Sequence, residues 1–361
     1  MGIRKLFGFS RVLLAVAILL TLSWVAPAGA KTYVFTFQMS WHTKHPEYFA
    51  IVNPHRELPQ FSKEQGLIPM LKAAAEKLGY KVRFILYPAD QLVKRKMALE
   101  ALKDGTIDML ASCAAYFHGL VPEGDVDWMP NTATIVGRAK TWDFLNSGRM
   151  AQIKRAAYEK KANAVWLSNV MAGSSCLLAR GNKPFKTLED LKGKKIRAAG
   201  GLATRIVDLL GASPVTMATG EIYPALQRGV LDGLMFYVYG LKDYMLIDYC
   251  KAVTYPAIYI WNDEIWMNKD KFESLPKDLQ KAFIETTRKW AKWASTEYWP
   301  AYEKRLEEWA KKKGVVFYTL PKNELERWDR AIAPVWDWYA KESPMCAEEV
   351  KLFKEFLKKN R

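Results

Sequence analysis

Residues 183–201, KPFKTLEDLKGKKIRAAGG, contain a complete helix-and-strand unit. Thr187 precedes the helix and Asp190 stands three positions later, which is the capping-box arrangement that begins a helix. The next segment, 195–199, has the short apolar character of a buried strand, and Gly200 and Gly201 turn the chain into another helix. A strand that leads through a glycine turn into a helix is typical of α/β folds.

The same alternation continues on both sides of this unit. Downstream, LLGASPVTMATGEIYPALQRGVLDGL (209–234) predicts a helix that ends at Gly211, a strand at 214–217, a helix at 221–228 and a strand at 231–239. Upstream, the patterns predict strands at 33–38, 81–87 and 107–112, separated by helices at 67–78 and 92–102. We therefore expect two α/β lobes, each a mostly parallel sheet covered by helices.

The rest of the chain is expected to connect and cover these lobes. A helical region is expected at 141–161 and a long strand at 257–266, and Pro276 should begin a long helix that Pro300 interrupts. Further helices are expected at 324–339 and 347–358. The expected organisation is a signal peptide at 1–30, a first lobe at 31–172, a second lobe at 173–255, and a crossing strand with helices on both lobes at 256–361.

The composition is that of a folded, exported protein. Of 361 residues, 50% are hydrophobic and 25% charged, which excludes a disordered or fibrous chain. Basic residues at 4, 5 and 11, an apolar run at 12–25 and the small residues Ala28-Gly29-Ala30 form a signal peptide, with cleavage expected after Ala30. An uncleaved N-terminal anchor is the alternative. Removing thirty residues, three of them basic, reduces the net charge from +16 to +13. We therefore expect a soluble, exported protein.

The positive charge does not predict a nucleic-acid partner. Nucleic acid is a poor partner outside the cytoplasm, and the basic residues alternate with acids, as at 304–313, which is typical of solvated helix faces. An anionic ligand or a membrane surface is the alternative explanation of the charge. The four cysteines, Cys113, Cys176, Cys250 and Cys346, contain no CxxC pair, so disulfides and buried thiols both stay open.

The common catalytic and metal-binding motifs are absent. The chain contains no GxSxG, HExxH, Walker A or GxGxxG sequence, and its four histidines have no metal-ligand spacing. We therefore expect no enzyme activity, no metal site and no cofactor.

Taken together, these segments resemble the substrate-binding proteins of tripartite ATP-independent periplasmic (TRAP) transporters, the dicarboxylate-binding-protein family. The resemblance lies in 183–201 and 209–234, and extends to YPADQLVKRKMALEALKDGTIDMLAS (87–112) and FESLPKDLQKAFIE (272–285). It implies a two-lobed periplasmic binding protein of type II-like fold, with a hinge, crossing strands and C-terminal helices. It also implies that the protein captures an organic acid and delivers it to the membrane subunits of the transporter.

Arg197 is the principal candidate for ligand binding. It ends a short strand beside a glycine turn, and ligands of open α/β sheets collect beyond such strand ends. Its planar guanidinium matches a carboxylate with two parallel hydrogen bonds. The resemblance implies that Arg197 is the carboxylate clamp, whereas a surface arginine at a strand edge is the alternative.

Five further residues are candidate ligand contacts. The resemblance places Phe236 in the pocket wall, with Tyr237 beside it, and puts Cys176 where many relatives have an arginine or glutamine. Trp41 and Tyr116 follow strands of the first lobe and could close the cleft from the opposite side. Each of these side chains could instead belong to the core. An aromatic wall and a thiol in place of a second polar anchor favour a monocarboxylate with an apolar or aromatic body.

Two other functions stay open at this stage. A binding protein of an ATP-driven importer would share the two lobes but lack the sequence context of Arg197. An exported enzyme on a similar fold would need an acid–base pair converging in the cleft.

Overall fold

The computed structural model describes residues 30–130 and 136–360. The proposed signal peptide therefore lies almost entirely outside the described residues. Within them, no helix combines the length and the apolar character needed to cross a membrane.

Nine strands form one mixed sheet in the described chain. They are β1 (Thr32–Met39), β2 (Lys81–Tyr87), β3 (Met109–Ser112), β4 (Ala164–Arg180), β5 (Lys195–Ala198), β6 (Ser213–Thr216), β7 (Gly233–Tyr237), β8 (Cys250–Asn268) and β9 (Val316–Thr319). Their order is β2-β1-β3-β8-β4-β7-β5-β6, with β9 beside β8. The first lobe is built on the parallel strands β1, β2 and β3, and the second on the parallel strands β5, β6 and β7.

The helices cover both faces of this sheet. In chain order they are α1 (Pro46–Val52), α2 (Leu67–Lys77), α3 (Ala98–Lys103), α4 (Arg138–Leu145), α5 (Gly148–Ala162), α6 (Leu188–Leu191), α7 (Gly201–Leu209), α8 (Ile222–Gln227), α9 (Gly240–Asp243), α10 (Lys269–Glu273), α11 (Lys277–Trp293), α12 (Trp299–Lys312), α13 (Lys322–Ile332), α14 (Val335–Ala340) and α15 (Pro344–Asn360). The α/β class and the two-lobed organisation expected from the sequence are confirmed.

Two long antiparallel strands, β4 and β8, run through both lobes. The C-terminal end of β8 pairs with β3 in the first lobe, and its N-terminal end pairs with the C-terminal end of β4 in the second. Almost every residue of β8 is buried, so the strand is covered on both faces. The pairing of β4 with β8 shifts between Met171 and Ser174, where the strands pass from one lobe to the other. The two lobes therefore share a continuous backbone connection.

Several elements differ from the sequence-based expectation. The expected helix at 92–102 begins only at Ala98, because the side chain of Gln38 accepts hydrogen bonds from the backbone of Leu92 and Val93 and holds that segment outside a helix. Pro300 does not end the long helix. A π-helical turn, Ala294–Tyr298, precedes α12 instead, and Pro300 lies in the first turn of α12, where its missing N–H costs least.

Helix α11 shows how the helices are attached. Leu279, Phe283, Thr287 and Trp290 are buried at intervals of three or four residues, so one stripe of the helix faces the protein. The indole of Trp290 also donates a hydrogen bond to the carbonyl of Ala50 (3.0 Å) in the first lobe. The tryptophans in this region therefore serve packing.

Candidate functional site

Arg197 is fully buried on β5 between the two lobes. Its Nε and Nη2 atoms donate hydrogen bonds to the carbonyl of Met217 at 3.2 and 2.9 Å. Its Nη1 atom has no hydrogen-bond partner among the described residues. The guanidinium lies 5.1 Å from the centre of the Phe236 ring. Within residues 30–130 and 136–360 it forms no ion pair, so a buried positive charge lacks a countercharge among the described residues.

Two buried hydroxyl groups accompany this guanidinium. The pairing of β4 with β8 places Ser175 beside Tyr259, and their two hydroxyl groups contact each other but have no further partner among the described residues. Burial raises the pKa of Tyr259, and the contact with Ser175 and the charge of Arg197 oppose that rise. Buried polar groups without partners are rare in folded proteins and indicate an absent ligand or water. We call Arg197, Ser175 and Tyr259 the clamp end of the site.

Aromatic rings surround the clamp end. The Trp128 ring is stacked on Tyr259 (5.1 Å between centres) and packs against Trp261 (4.6 Å). The Trp261 ring in turn lies 6.0 Å from Phe236 and 5.3 Å from Tyr237. These rings form a largely apolar enclosure with few polar groups, which is the usual lining of a small-molecule site.

The segment that carries Trp128 is fixed by a buried ion cluster. The ammonium of Lys154 lies 2.6 Å from Asp127 and 3.3 Å from Glu264, and all three side chains are fully buried. Tyr158 donates a hydrogen bond to Glu264 (2.7 Å). Burial raises the pKa of Glu264 to about 8, so the ammonium of Lys154 faces one ionised carboxylate, that of Asp127, and the cluster holds the wall of the site without needing a ligand.

A second set of polar groups lies at the other side of the aromatic rings. Glu47 on α1 and Asp263 on β8 are buried and in side-chain contact. The indole of Trp261 donates a hydrogen bond to Asp263 (2.9 Å). Burial raises the pKa of Asp263 to about 6 and that of Glu47 well above its usual range. The adjacent His45 is buried, and burial lowers the pKa of its imidazole. With Tyr239, whose ring lies 6.1 Å from His45, these residues form the acid end of the site.

An open cleft of about 400 Å³ lies between the lobes. Arg95 in its wall donates hydrogen bonds to Asp90 (2.9 Å) and to the hydroxyl of Tyr116 (3.4 Å). That hydroxyl lies 3.3 Å from Thr219 Oγ1, which belongs to the second lobe. Tyr116 therefore bridges the two lobes at the cleft.

A further contact between the lobes lies at the start of α7. The backbone N–H of Leu202 donates a hydrogen bond to Asp125 Oδ2 (3.3 Å), so an acid of the first lobe caps a helix of the second. His118 Nδ1 lies 2.8 Å from the same carboxylate. Although burial opposes it, Asp125 raises the pKa of His118. The carbonyl of Ala115 lies 3.0 Å from where a Cβ of Gly200 would stand, so the lobes meet closely here.

The residues singled out from the sequence fall into three groups. Arg197, Phe236 and Tyr237 lie together around the aromatic enclosure. Tyr116 lies in the cleft, and Trp41, which is 5% exposed, stacks on His45 at the acid end (6.2 Å).

Cys176 is not part of this assembly. Its buried thiol lies near Tyr255 and the carboxylates of Glu303 and Glu307. Because side chains alternate along a strand, the neighbouring Ser175 takes the position beside the clamp end instead. All four cysteines of the chain are free and buried.

Most polar groups of the site were not predicted from the sequence. Tyr259, Trp261 and Asp263 share one face of β8 because they are two residues apart. That alternation was visible in the expected strand at 257–266 and could have identified them. Glu47 and Ser175 carry no comparable signal, because their roles depend on which elements pack together. Among the described residues, no group of three or more His, Cys, Asp or Glu side chains is placed to hold a metal ion.

The fold and site define a class of protein: a two-lobed α/β binding protein with an enclosed site between the lobes. Residues 55–342 match the family described as bacterial extracellular solute-binding protein, family 7. This chain belongs to that family, which includes the solute-binding proteins of TRAP transporters.

Two curated relatives illustrate the family. A solute-binding protein of Albidiferax ferrireducens is 27% identical over 216 residues, which cover 59% of this chain and 62% of that protein. The C4-dicarboxylate-binding periplasmic protein DctP of Rhodobacter capsulatus is 26% identical over 289 residues, which cover 78% of this chain and 84% of that protein. The chain thus spans less than two thirds of the first relative and most of the second.

Solved structures share the fold. A TRAP periplasmic solute-binding protein of Desulfovibrio salexigens with bound orotic acid has a TM-score of 0.78 at 22% identity and covers 91% of this chain and 100% of that one. One from Rhodoferax ferrireducens with bound malonate has a TM-score of 0.76 at 22% identity, covering 90% and 98% respectively.

Proposed function

We propose that this protein is the solute-binding subunit of a TRAP transporter, which captures an organic acid between its lobes and delivers it to the membrane subunits. The observation that carries the proposal is the fully buried guanidinium of Arg197, with an unpartnered Nη1 atom and no countercharge among the described residues. A carboxylate would supply both the missing charge and the missing hydrogen-bond acceptor. Tyr259 and Ser175 would donate further hydrogen bonds to the same group.

The ligand we propose is a monocarboxylate with an apolar or aromatic body. The clamp end offers one unpaired guanidinium, and the rings of Phe236, Tyr237, Trp128 and Trp261 pack against one another around it. The second guanidinium near the cleft, that of Arg95, is already paired with Asp90 (2.8 Å). The orotic acid bound by the Desulfovibrio salexigens protein, a ring with one carboxylic acid, is compatible with this class.

Binding would favour the closed arrangement of the lobes. A ligand shifts a conformational equilibrium only by its differential affinity for the two states. A carboxylate held by Arg197 of the second lobe, with its body against Trp128 of the first, makes contacts that exist only when the lobes are together. No bond of the ligand needs to be made or broken in this process.

The proposed location is the periplasm. It rests on the N-terminal signal sequence, with cleavage after Ala30, and on the periplasmic location named for the Rhodobacter capsulatus relative. The membrane subunits of the transporter are the proposed partners.

A thermal-shift screen of small carboxylates tests the function. A ligand at 100 times its dissociation constant adds about 2.7 kcal/mol to the free energy of unfolding, enough for a clear rise in melting temperature. We expect carboxylates with an aromatic or aliphatic body to raise the melting temperature and to be recovered chemically unchanged. Tight binding confined to neutral sugars or simple amines, or turnover of a bound carboxylate, would contradict the proposal.

A further inference from the structure

We propose that the ligand is a zwitterion, whose cationic nitrogen binds Glu47 and Asp263 at the acid end while its carboxylate binds Arg197 at the clamp end. This inference rests on the proposed function and names the ligand class more closely. It assigns to Glu47 and Asp263 the role of a receptor for an ammonium or related cation.

The two acids are buried together without a countercharge. Glu47 and Asp263 are 3% and 1% exposed and hydrogen-bond each other, and among the described residues no cation accompanies the pair. Within the described part of the chain, neither acid forms an ion pair with a lysine or arginine. The nearby Arg95 is already paired with Asp90. Two buried carboxyl groups in contact are costly unless a proton or a cation lies between them.

Two neutral side chains have free polar atoms at the acid end. His45 Nε2 and Tyr239 Oη are fully buried and lack hydrogen-bond partners. The other imidazole nitrogen of His45 accepts a hydrogen bond from the backbone N–H of Glu47 (3.2 Å), which leaves Nε2 as its free group. Rings of Trp41, Tyr239 and Tyr244 lie 5.4–6.2 Å from His45.

The acid end and the clamp end belong to one site. Tyr259, Trp261 and Asp263 lie on the same face of β8, and the Cα atoms of the first and last are about 13 Å apart at ~3.3 Å per residue. Trp261 packs against Phe236 beside Arg197 and donates a hydrogen bond to Asp263. Burial raises the pKa of the Cys113 thiol, the charge of Asp263 adds to that rise, and the charge of Arg197 opposes it. Both charges therefore lie near Cys113. A ligand along this face would meet an unpaired cation at one end and unpaired acids at the other.

The electrostatic balance also favours a cation. Burial, the charge of Asp263 and the hydrogen bond with Asp263 raise the pKa of Glu47, so the empty pair shares one proton and carries about one negative charge. An ammonium would neutralise that charge and donate hydrogen bonds to the carboxylate oxygens. An uncharged apolar group would leave the charge without a partner.

Matched pairs of carboxylates test this inference. Calorimetry near pH 7.5 would compare each amino compound with the compound in which a methyl group replaces the ammonium. The pairs are 4-aminobutanoate and pentanoate, 5-aminopentanoate and hexanoate, 6-aminohexanoate and heptanoate, and 4-(aminomethyl)benzoate and 4-ethylbenzoate. In at least one pair the amino compound should bind at least about tenfold more tightly, since charge-assisted hydrogen bonds are strong. Methyl compounds that bind equally well or better in every pair would overturn the inference and leave the proposed function standing.

Substitutions of Glu47 and Asp263 test whether these two acids cause the preference for the amino compound. Glu47→Gln and Asp263→Asn should abolish the preference for the amino compound, while the methyl compound keeps its affinity. Glu349→Gln is the matched control, because Glu349 is a fully buried acid bound to Tyr339 (2.7 Å) away from the cleft. Melting temperatures would establish that each variant folds. An undiminished preference in both folded acid variants would contradict the assignment, and failure of both compound sets to bind would contradict the proposed function as well.

Discussion

Arg197 and Lys154 are both fully buried cations, but they differ in their partners. Lys154 has two carboxylates, Asp127 and Glu264, within 3.3 Å. Arg197 has only a backbone carbonyl and a ring face. Removing one partner from a buried ion pair typically costs about 3–5 kcal/mol, so proteins rarely bury an unpaired charge without a purpose. Lys154 therefore needs no further partner, whereas the proposed role of Arg197 is to bind an anion from outside.

The raised pKa of Asp243 predicts a measurable dependence of stability on pH. Burial raises its pKa to about 7, although the hydrogen bond from Tyr302 (3.0 Å) and the charge of Lys242 oppose the rise. Because the unfolded side chain titrates near 4, folding takes up a proton between these pH values, and the free energy of unfolding increases as the pH falls from about 7 towards 4.

Asp243→Asn should flatten this dependence. We expect the wild type to gain on the order of 2 kcal/mol from this group between about pH 7.5 and pH 5, measured by urea unfolding, and the variant to lose that gain. Asp337→Asn is the control, because the Asp337 side chain is 77% exposed. An unchanged pH profile in Asp243→Asn would show that Asp243 is ionised in the folded protein at neutral pH.

At the scale of elements, local patterns predicted most of the α/β units. Strand β2 has the expected bounds, and β5 and α7 differ from expectation by one residue, because apolar alternation and glycines act locally. Strand β4 was not predicted. Its residues 164–180 contain glycine and several serines, and they form a strand because β7 and β8 lie on either side. Long-range pairing of this kind leaves little trace in a single sequence.

The candidate site shows the same difference between local sequence patterns and long-range packing. Arg197, Phe236 and Tyr237 stand in a recognisable sequence motif, and the structure brings them together. Cys176 lies apart from them because a shift of one residue moves a side chain to the opposite face of a strand. Glu47 on α1 meets Asp263 on β8 only through the packing of distant elements, which the sequence does not specify residue by residue.

The backbone conformation and close surroundings of Gly201 predict that the start of α7 needs glycine. Its φ is +46°, and a Cβ there would overlap Asp125 Oδ2, an atom of the carboxylate that caps this helix. Gly201→Ala should lower the free energy of unfolding by about 1–3 kcal/mol through backbone strain, and should weaken ligand binding by separating the lobes.

Urea unfolding and calorimetry would measure both effects. Gly119→Ala is the control, because a Cβ at Gly119 would meet no atom within 4 Å and the residue lies in a neighbouring loop. Equal stability and affinity in Gly201→Ala and the wild type would contradict the role of this contact.

At the scale of the whole molecule, two kinds of connection join the lobes. Strands β4 and β8 link them covalently, and the register shift between Met171 and Ser174 marks where they cross. Side-chain contacts, such as those of Tyr116 with Thr219 and Asp125 with α7, hold the facing surfaces together. The first kind would persist in an open form, whereas the second would have to break. This arrangement fits closure by a hinge.

Small-angle scattering tests the hinge. A saturating carboxylate identified by the thermal-shift screen should reduce the radius of gyration, because it stabilises the closed form. The same measurement with a carboxylate that gives no thermal shift is the control. Identical scattering profiles with and without a bound ligand would indicate a rigid site.

The most direct test of the central claim is calorimetric titration of a carboxylate ligand into the wild type, Arg197→Lys and Arg197→Ala. Lysine keeps the charge but loses the planar pair of hydrogen bonds, so affinity should fall at least about tenfold, which corresponds to ~1.4 kcal/mol, and further in Arg197→Ala. Arg205→Lys, which changes an exposed arginine on α7, should bind like the wild type. Wild-type affinity in a folded Arg197→Ala variant would contradict the assignment of Arg197 as the carboxylate clamp, and with it the case for an organic-acid ligand.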